Sequence, residues 1–402
     1  MTTKTNIPAG YKDSAVGIIP QEWKVTTLGK LVSITSGESP SLFNLRDIGK
    51  YPYIKVEDMN NCEKYQADSR EYTDEERVVI AKGSIIFPKR GAAITNNKVR
   101  IAACQLYMDS NMMAITPNDL VCGDYLYFKI TYEQLFRIAD TSTIPQINNK
   151  HIIPYKICLP PLEEQRKIAE ILGVWDEAIE KQSRLIEKLE LRKRALMQRL
   201  LTGRTRLPGF IDDVQYKKLK PFIVEKSERN TNQTYTNVLS VTNNRGFINQ
   251  AEQFDREVAS DNTANYKLVH RGQFAYNPSR VNVGSLDLLQ TYDLGILSPM
   301  YIVFETRPTM DPKFLYYQLK SGWFVGHIPM YVQGSVRDSL SFDGLENMKF
   351  WIPSLTEQQA IAEVLTTADD EIATHRKKLD ALRLQKHGLM QQLLTGKTRV
   401  KI

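Results

Sequence analysis

PPLEEQRKIAEILGVWDEAIEKQSRLIEKLELRKRALMQRLLTGRTR, residues 160–206, returns at residues 353–399 as PSLTEQQAIAEVLTTADDEIATHRKKLDALRLQKHGLMQQLLTGKTR. The two stretches align without a gap at an offset of 193 and share 22 identities in 47 positions. Two copies at so long a period are a duplicated unit, not a solenoid. Each copy predicts one long helix. Proline and polar residues precede it, acidic Glu163, Glu164 and Glu357 suit the positive end of the helix dipole, and Gly203 and Gly396 stand where the helix should stop. About 40 residues at 1.5 Å each make roughly 60 Å. The apolar residues follow an alternating four-three spacing. In the first copy the seam is Ile168, Leu172, Trp175, Ile179, Gln182, Ile186, Leu189, Lys193, Leu196 and Leu200. In the second it is Ile361, Leu365, Ala368, Ile372, His375, Leu379, Leu382, Lys386, Leu389 and Leu393. Seams this long predict a helix pair rather than a helix lying on a globular core. An antiparallel pair would set the polar breaks Gln182 and His375 opposite each other, and a duplicated chain tends to fold as its own pseudo-dimer about a two-fold axis.

Between the helices lie blocks of another kind. Short apolar runs (Tyr53 to Val56, Gly83 to Phe87, Met112 to Ile115, Gly272 to Tyr276, Met300 to Phe304) are punctuated by Asn, Asp, Gly and Pro. Short helices are predicted over Gly123 to Ile138 and Pro312 to Lys320. The fold class expected is α+β: two globular domains separated and connected by two long helices in an antiparallel coiled coil. The blocks resemble each other only faintly, while the helices stayed alike. That contrast fits helices meeting a shared partner and blocks meeting different targets.

With 402 residues, 42% hydrophobic and 25% charged, the chain has ample material for two or three packed domains. It has no run of about 18 apolar residues. Its start, MTTKTNIP, has no apolar signal core, so a cytoplasmic protein is expected. Cys62, Cys104, Cys122 and Cys158 are scattered, which argues against a disulfide framework or a structural zinc. The net charge of +7 permits a nucleic-acid partner without requiring one. The globular blocks are near neutral, so a DNA face there must come from local clustering. The late helix cations Arg192, Lys193, Arg194 and Arg199 also suit the negative helix end.

Catalytic patterns are missing. Gly396-Lys397-Thr398 resembles the end of a phosphate loop, but Gln391 stands where its first glycine should be. Asn277-Pro278-Ser279 matches only part of the Asn-Pro-Pro-Tyr motif of amino-methyltransferases. There is no HExxH and no GxSxG, and His151, His270, His327, His375 and His387 never pair at metal spacing. No catalytic and no metal site is expected.

Two pairs of segments have the chemistry of DNA readers. The first pair is Phe87 to Lys98 (FPKRGAAITNNK) and Tyr276 to Ser285 (YNPSRVNVGS). Each follows a glycine-initiated apolar strand and presents Arg with Asn, Ser or Thr. Arg reads guanine bidentately, Asn and Gln read adenine, and Lys and hydroxyls hold phosphate. The second pair, Ser142 to Lys150 and Ser335 to Asp343, lies before each helix at the same offset of 193. The plainer alternatives are ordinary polar hairpin loops, or loops that dock a domain on its helix.

These pieces together resemble the specificity (S) subunit of type I restriction–modification systems over essentially the whole chain. The resemblance rests on Tyr11-Lys-Asp with Gly17-Ile-Ile-Pro-Gln-Glu-Trp23 and Leu28-Gly-Lys-Leu, on Tyr53-Ile-Lys-Val-Glu-Asp-Met59 and on Thr143-Ile-Pro-Gln-Ile-Asn148. The two Leu-Glu-Glu-Gln-like helix starts and the two Leu-Leu-Thr-Gly-(Arg/Lys)-Thr-Arg ends complete it. The second copy departs at Val214 to Leu219, which lacks the tryptophan. The resemblance implies a first target-recognition domain in residues 1–157 and a central conserved helix in 158–206. It implies a second recognition domain in 207–352 and a C-terminal conserved helix in 353–402. Each domain would read one half of a bipartite asymmetric site on double-stranded DNA. Two modification (M) subunits would bring S-adenosylmethionine and methylate adenine N6. Two restriction (R) subunits would bring ATP and magnesium. This chain would hold no cofactor, catalyse nothing and serve anti-phage defence in a bacterial or archaeal cytoplasm, away from membranes. The residues expected at DNA are Lys89, Arg90, Asn97, Lys98, Thr143, Gln146 and Asn148 in the first half, and Ser279, Arg280, Asn282, Arg337 and Ser339 in the second. A coiled-coil scaffold without DNA readout, and a stand-alone nuclease or methyltransferase, are the rival classes.

Overall fold

The structure is a computed structural model that describes residues 7–211, 215–250, 262–332 and 339–402. The chain divides into two compact units, residues 1–184 with 377–402, and residues 185–376. These units cut across the sequence bounds, because each takes half of each long helix. No helix among the described residues is long and apolar enough to cross a membrane.

The central helix runs Leu162–Leu200 and the C-terminal helix Leu355–Leu394. All twenty seam positions are buried or half-buried. The direction of pairing follows from ion pairs inside each unit. In the first unit Glu164 meets Arg399 and Asp176 meets Lys386. In the second Lys193 meets Asp369 and Arg206 meets Glu357. As one number rises its partner's falls, so the helices run antiparallel.

The helices are also more than a free pair. Ile168, Leu172, Met390, Leu393 and Leu394 belong to the apolar core of the first globular block. Leu200, Leu201, Ile361 and Leu365 belong to that of the second. Each such fully buried side chain stabilises the junction by about 1.5–3 kcal/mol relative to exposure. The seam explains the helix pair; the ends of the helices explain why domain and helix form one body within each unit.

In the first unit a five-stranded sheet has the order Val32–Ser36, Met112–Pro117, Ile85–Pro88, Arg100–Ala102, Tyr65–Gln66. A three-stranded sheet orders Tyr107–Met108, Tyr51–Ile54, Tyr72–Thr73. The predicted helix over Gly123 to Ile138 is broken, with a helix Gly123–Glu133 and a turn Leu135–Ile138 either side of Gln134 at φ 66°. In the second unit the main sheet orders Ile223–Lys226, Ile302–Thr306, Phe274–Tyr276, Leu286–Leu288. Its helix is Pro312–Leu319, capped by the Asp311 side chain.

One strand pair closes each block where the chain enters and leaves it. Lys24–Thr27 pairs with Lys156–Leu159, and Tyr216–Lys218 pairs with Lys349–Trp351, both antiparallel. Here the duplication persists where sequence likeness does not. Trp23 is fully buried and donates its indole N–H to Glu164 at 2.9 Å. The second copy has no tryptophan at the corresponding place; Trp351, on the opposite strand of the pair, lies against Gly203 as Trp23 lies against Gly396, with Arg206 over its ring. A Cβ on Gly203 would come within 3.0 Å of the Trp351 ring, and one on Gly396 within 2.5 Å of Pro20.

The repeated Glu-Gln at each helix start is also explained. Gln165 accepts from the Cys122 backbone N–H and donates to the carbonyl oxygen of Pro160. Gln358 accepts from Asp311 N–H and donates to that of Pro353. Each glutamine thus pins the start of its block's main helix. Lys129 donates to the Leu394 carbonyl oxygen at 3.1 Å, and Gln318 donates to that of Leu201 at 2.9 Å. Glu164 and Glu357 are fully buried under Arg399 and Arg206, so the helix dipole is only part of their role.

Candidate nucleic-acid interface

In the first unit the two reader segments come together. The Gly91 N–H donates to Pro145 and the Ile147 N–H to Lys89, while Arg90 and Gln146 form a bridge. Gln146 also exchanges two backbone hydrogen bonds with Asp140. The result is a ridge of two adjacent loops that places Lys89, Arg90, Thr143 and Gln146 side by side. Arg90 and Thr143 are exposed, and Lys89 and Gln146 are half-buried. Partial burial, with the Arg90 charge beside it, lowers the pKa of the Lys89 ammonium. Asp140 sits at the base of the ridge, its pKa lowered by hydrogen bonds from Ser142. Asn148 is exposed, and its backbone N–H donates to His151 Nδ1.

The second unit repeats one backbone bond of this ridge on different residues. The Leu340 N–H donates to the Pro278 carbonyl oxygen at 3.1 Å, as that of Ile147 does to Lys89. Asn277 Oδ1 accepts from the Ser279 N–H, and a single 3₁₀ turn, Val281–Val283, follows. That turn buries Val281 and leaves Ser279, Arg280 and Asn282 exposed. It closes through Gly284 at φ 94°, where a Cβ would lie 2.1 Å from Asn243 Oδ1. Ser339 is half-buried beside this loop. Arg337 lies outside the described residues.

Among the described residues neither the Arg90 nor the Arg280 guanidinium has a hydrogen-bond or ion-pair partner. An exposed, unpaired guanidinium fork matches the two acceptors of a guanine edge or a phosphate. Asn97 differs. It sits at φ 51°, its Nδ2 donates to the Thr131 carbonyl oxygen and its Oδ1 accepts from Leu135 N–H. Its amide thus joins the loop to the two helical pieces around Gln134, which is a structural role. The Lys98 ammonium donates to Asn60 Oδ1 at 2.7 Å. The sequence offers no sign of either tie, because both partners are distant in the chain.

No group of three His, Cys, Asp or Glu side chains among the described residues could hold a metal ion. Most strongly shifted titratable groups, such as Tyr125 and Tyr127, owe the shift chiefly to burial in the cores.

A sequence model of the type I restriction modification DNA specificity domain matches residues 20–191 and again 210–384. The chain belongs to that family. The MjaVIII specificity subunit of Methanocaldococcus jannaschii is 24% identical over 95% of this chain and 94% of its own length. The putative MjaX specificity subunit of the same organism is 26% identical over 97% of both chains. The crystal structure of the S subunit from M. genitalium superposes with a TM-score of 0.58 over 98% of this chain and 99% of that one, at 17% identity. The two matched stretches are two copies of that domain in tandem, and the chain is a type I specificity subunit.

Proposed function

We propose that each ridge of this specificity subunit reads one half of a bipartite, asymmetric site on double-stranded DNA. The observation that carries this reading is the pair of ridges itself. They share one backbone bond, accepted by Lys89 in one and Pro278 in the other, yet they present Lys89, Arg90 and Gln146 in one case and Ser279, Arg280 and Asn282 in the other. Two loops anchored by an equivalent bond but carrying different side chains suit two different half-sites. Arginine forks, carboxamides and hydroxyls are the groups that distinguish base edges and hold phosphates.

The chain supplies recognition and no chemistry. Two modification subunits dock on the repeated helices, carry S-adenosylmethionine and methylate adenine N6, with the target base turned out of the stack. Two restriction subunits add ATP- and magnesium-dependent cleavage. The paired helices set the spacer between the half-sites.

The test is methylome sequencing of cells that carry this chain with its cognate modification subunit, against cells with that subunit alone. N6-methyladenine at one bipartite motif, present only with this chain, is the expected result. An assembled complex that yields no new motif would overturn base reading and leave a protein scaffold.

A further inference from the structure

We propose that Ile144 and Val283 are thymine readers: each packs against the C5-methyl group of a thymine in the major groove of its half-site. This inference rests on the reading of the ridges as DNA-contacting surfaces and names a specificity residue in each.

The first observation is exposure where burial was available. Ile144 is 70% exposed and Val283 58% exposed, although both belong to short segments whose other aliphatic residues, Ile147 and Val281, are buried. Single exposed aliphatic side chains are common on protein surfaces. These two are set apart by position. Ile144 precedes Pro145, whose carbonyl accepts from Gly91, so it stands next to Arg90 and Gln146 on the first ridge. Val283 ends the turn that begins at Arg280, and its N–H donates to the Arg280 carbonyl oxygen. Both units therefore place one branched aliphatic side chain beside the exposed, unpaired arginine, on loops of unrelated sequence.

The second observation is the charge around them. Lys89 and Arg90 lie on the loop bonded to that of the first aliphatic residue, and Arg280 stands three residues before the second. An apolar protein partner would bury these cations at a cost, whereas a DNA groove neutralises them with phosphates or base acceptors. Within the major groove the one apolar group on a natural base edge is the thymine methyl. An arginine fork aimed at guanine and an aliphatic side chain aimed at an adjacent thymine would read neighbouring base pairs by independent means.

The test uses the assembled complex of this chain with its modification subunit and a duplex bearing its mapped site. Each thymine of the two half-sites is replaced singly by deoxyuridine, which removes the methyl and leaves every hydrogen-bonding group. One position in the first half-site should lose affinity by about fourfold, the worth of one buried carbon group. Ile144→Ala should abolish that sensitivity, and Val283→Ala should abolish a second one in the other half-site. Neither side chain is part of a core, so both variants keep the fold. The inference is overturned if the complex binds its site specifically yet no deoxyuridine position matters, or if the sensitivities survive in the alanine variants. Failure of base reading itself would look different, as the absence of any preferred site before a methyl is removed.

Discussion

The Arg206 guanidinium closes on the fully buried Glu357 carboxylate through two hydrogen bonds of 2.6 Å each, joining the end of one repeat to the start of the other. Arg399 and Glu164 make the same fork in the first unit, at 2.7 and 3.0 Å. Two-point pairing of this kind is among the stronger polar contacts. Arg206→Ala would leave Glu357 buried and unpaired, with an expected loss of about 3–5 kcal/mol. Replacing both partners by apolar residues, Arg206→Met with Glu357→Leu, should recover most of it. Hydrogen exchange resolves the site of damage: protection should fall in residues 185–376 and hold in the first unit.

The two repeat glycines should respond unequally to a methyl group. Gly203 and Gly396 adopt φ of 69° and 75°, so alanine at either costs about 1–2 kcal/mol in backbone strain. At position 396 the new Cβ also lies 2.5 Å from the Pro20 ring, against 3.0 Å from Trp351 at position 203. Gly396→Ala should lower the melting temperature more than Gly203→Ala does.

Lys129 and Gln318 do one job with different charge. Lys129, 2% exposed, also pairs with Glu133 at 2.9 Å. Gln318, 3% exposed, has no such carboxylate and donates instead to the Trp351 carbonyl oxygen. Lys129→Gln should cost on the order of 1 kcal/mol, because an amide still satisfies the helix end. Gln318→Lys should cost several kcal/mol, since it buries an ammonium without a counter-ion. Chemical denaturation of the two variants, read by unit-specific exchange, gives the comparison.

Arg280 and Asn97 should separate recognition from architecture. Arg280→Ala is expected to cost about 1–3 kcal/mol in binding and to relax one base of the second half-site. Asn97→Ala breaks two internal hydrogen bonds and should cost about 1–3 kcal/mol of stability in the first unit. The methylated motif should keep every letter in that variant. A changed motif in Asn97→Ala would return this residue to the readers.

One heptad inserted after Arg184, where the two compact units divide, lengthens the central helix while leaving both ridges untouched. The methylome of this variant should show a changed spacer with both half-site sequences intact. Altered letters in either half would sink the idea that the helices set spacing alone.

The repeat was readable because its constraints are local and periodic. Seam spacing, prolines before the helices and glycines after them are visible at short range, and they name the helices, their ends and their duplication. Strand runs such as Met112 to Ile115 and Gly272 to Tyr276 were readable for the same reason. The bend at Gln134 was hidden, because a side chain from another segment, Asn97, caps both pieces. The candidate site was half legible. Arg90, Gln146, Arg280 and Asn282 carry reader chemistry in their identity alone, whereas the role of Asn97 depends on Thr131 and Leu135, which only folding brings near.

What the sequence by itself determined is the two long helices and the fact that they come twice, since helix periodicity and repeat identity need no knowledge of contacts. The tertiary structure decided which half of each helix belongs to which unit, and that Trp351 lies against Gly203 as Trp23 lies against Gly396. It also decided that the seam lysines Lys193 and Lys386 are answered by Asp369 and Asp176. Those outcomes turn on side chains up to about two hundred residues apart meeting in partly buried junctions. There an unpaired charge is costly and a paired one selects the register, a condition that no local pattern in the chain can express.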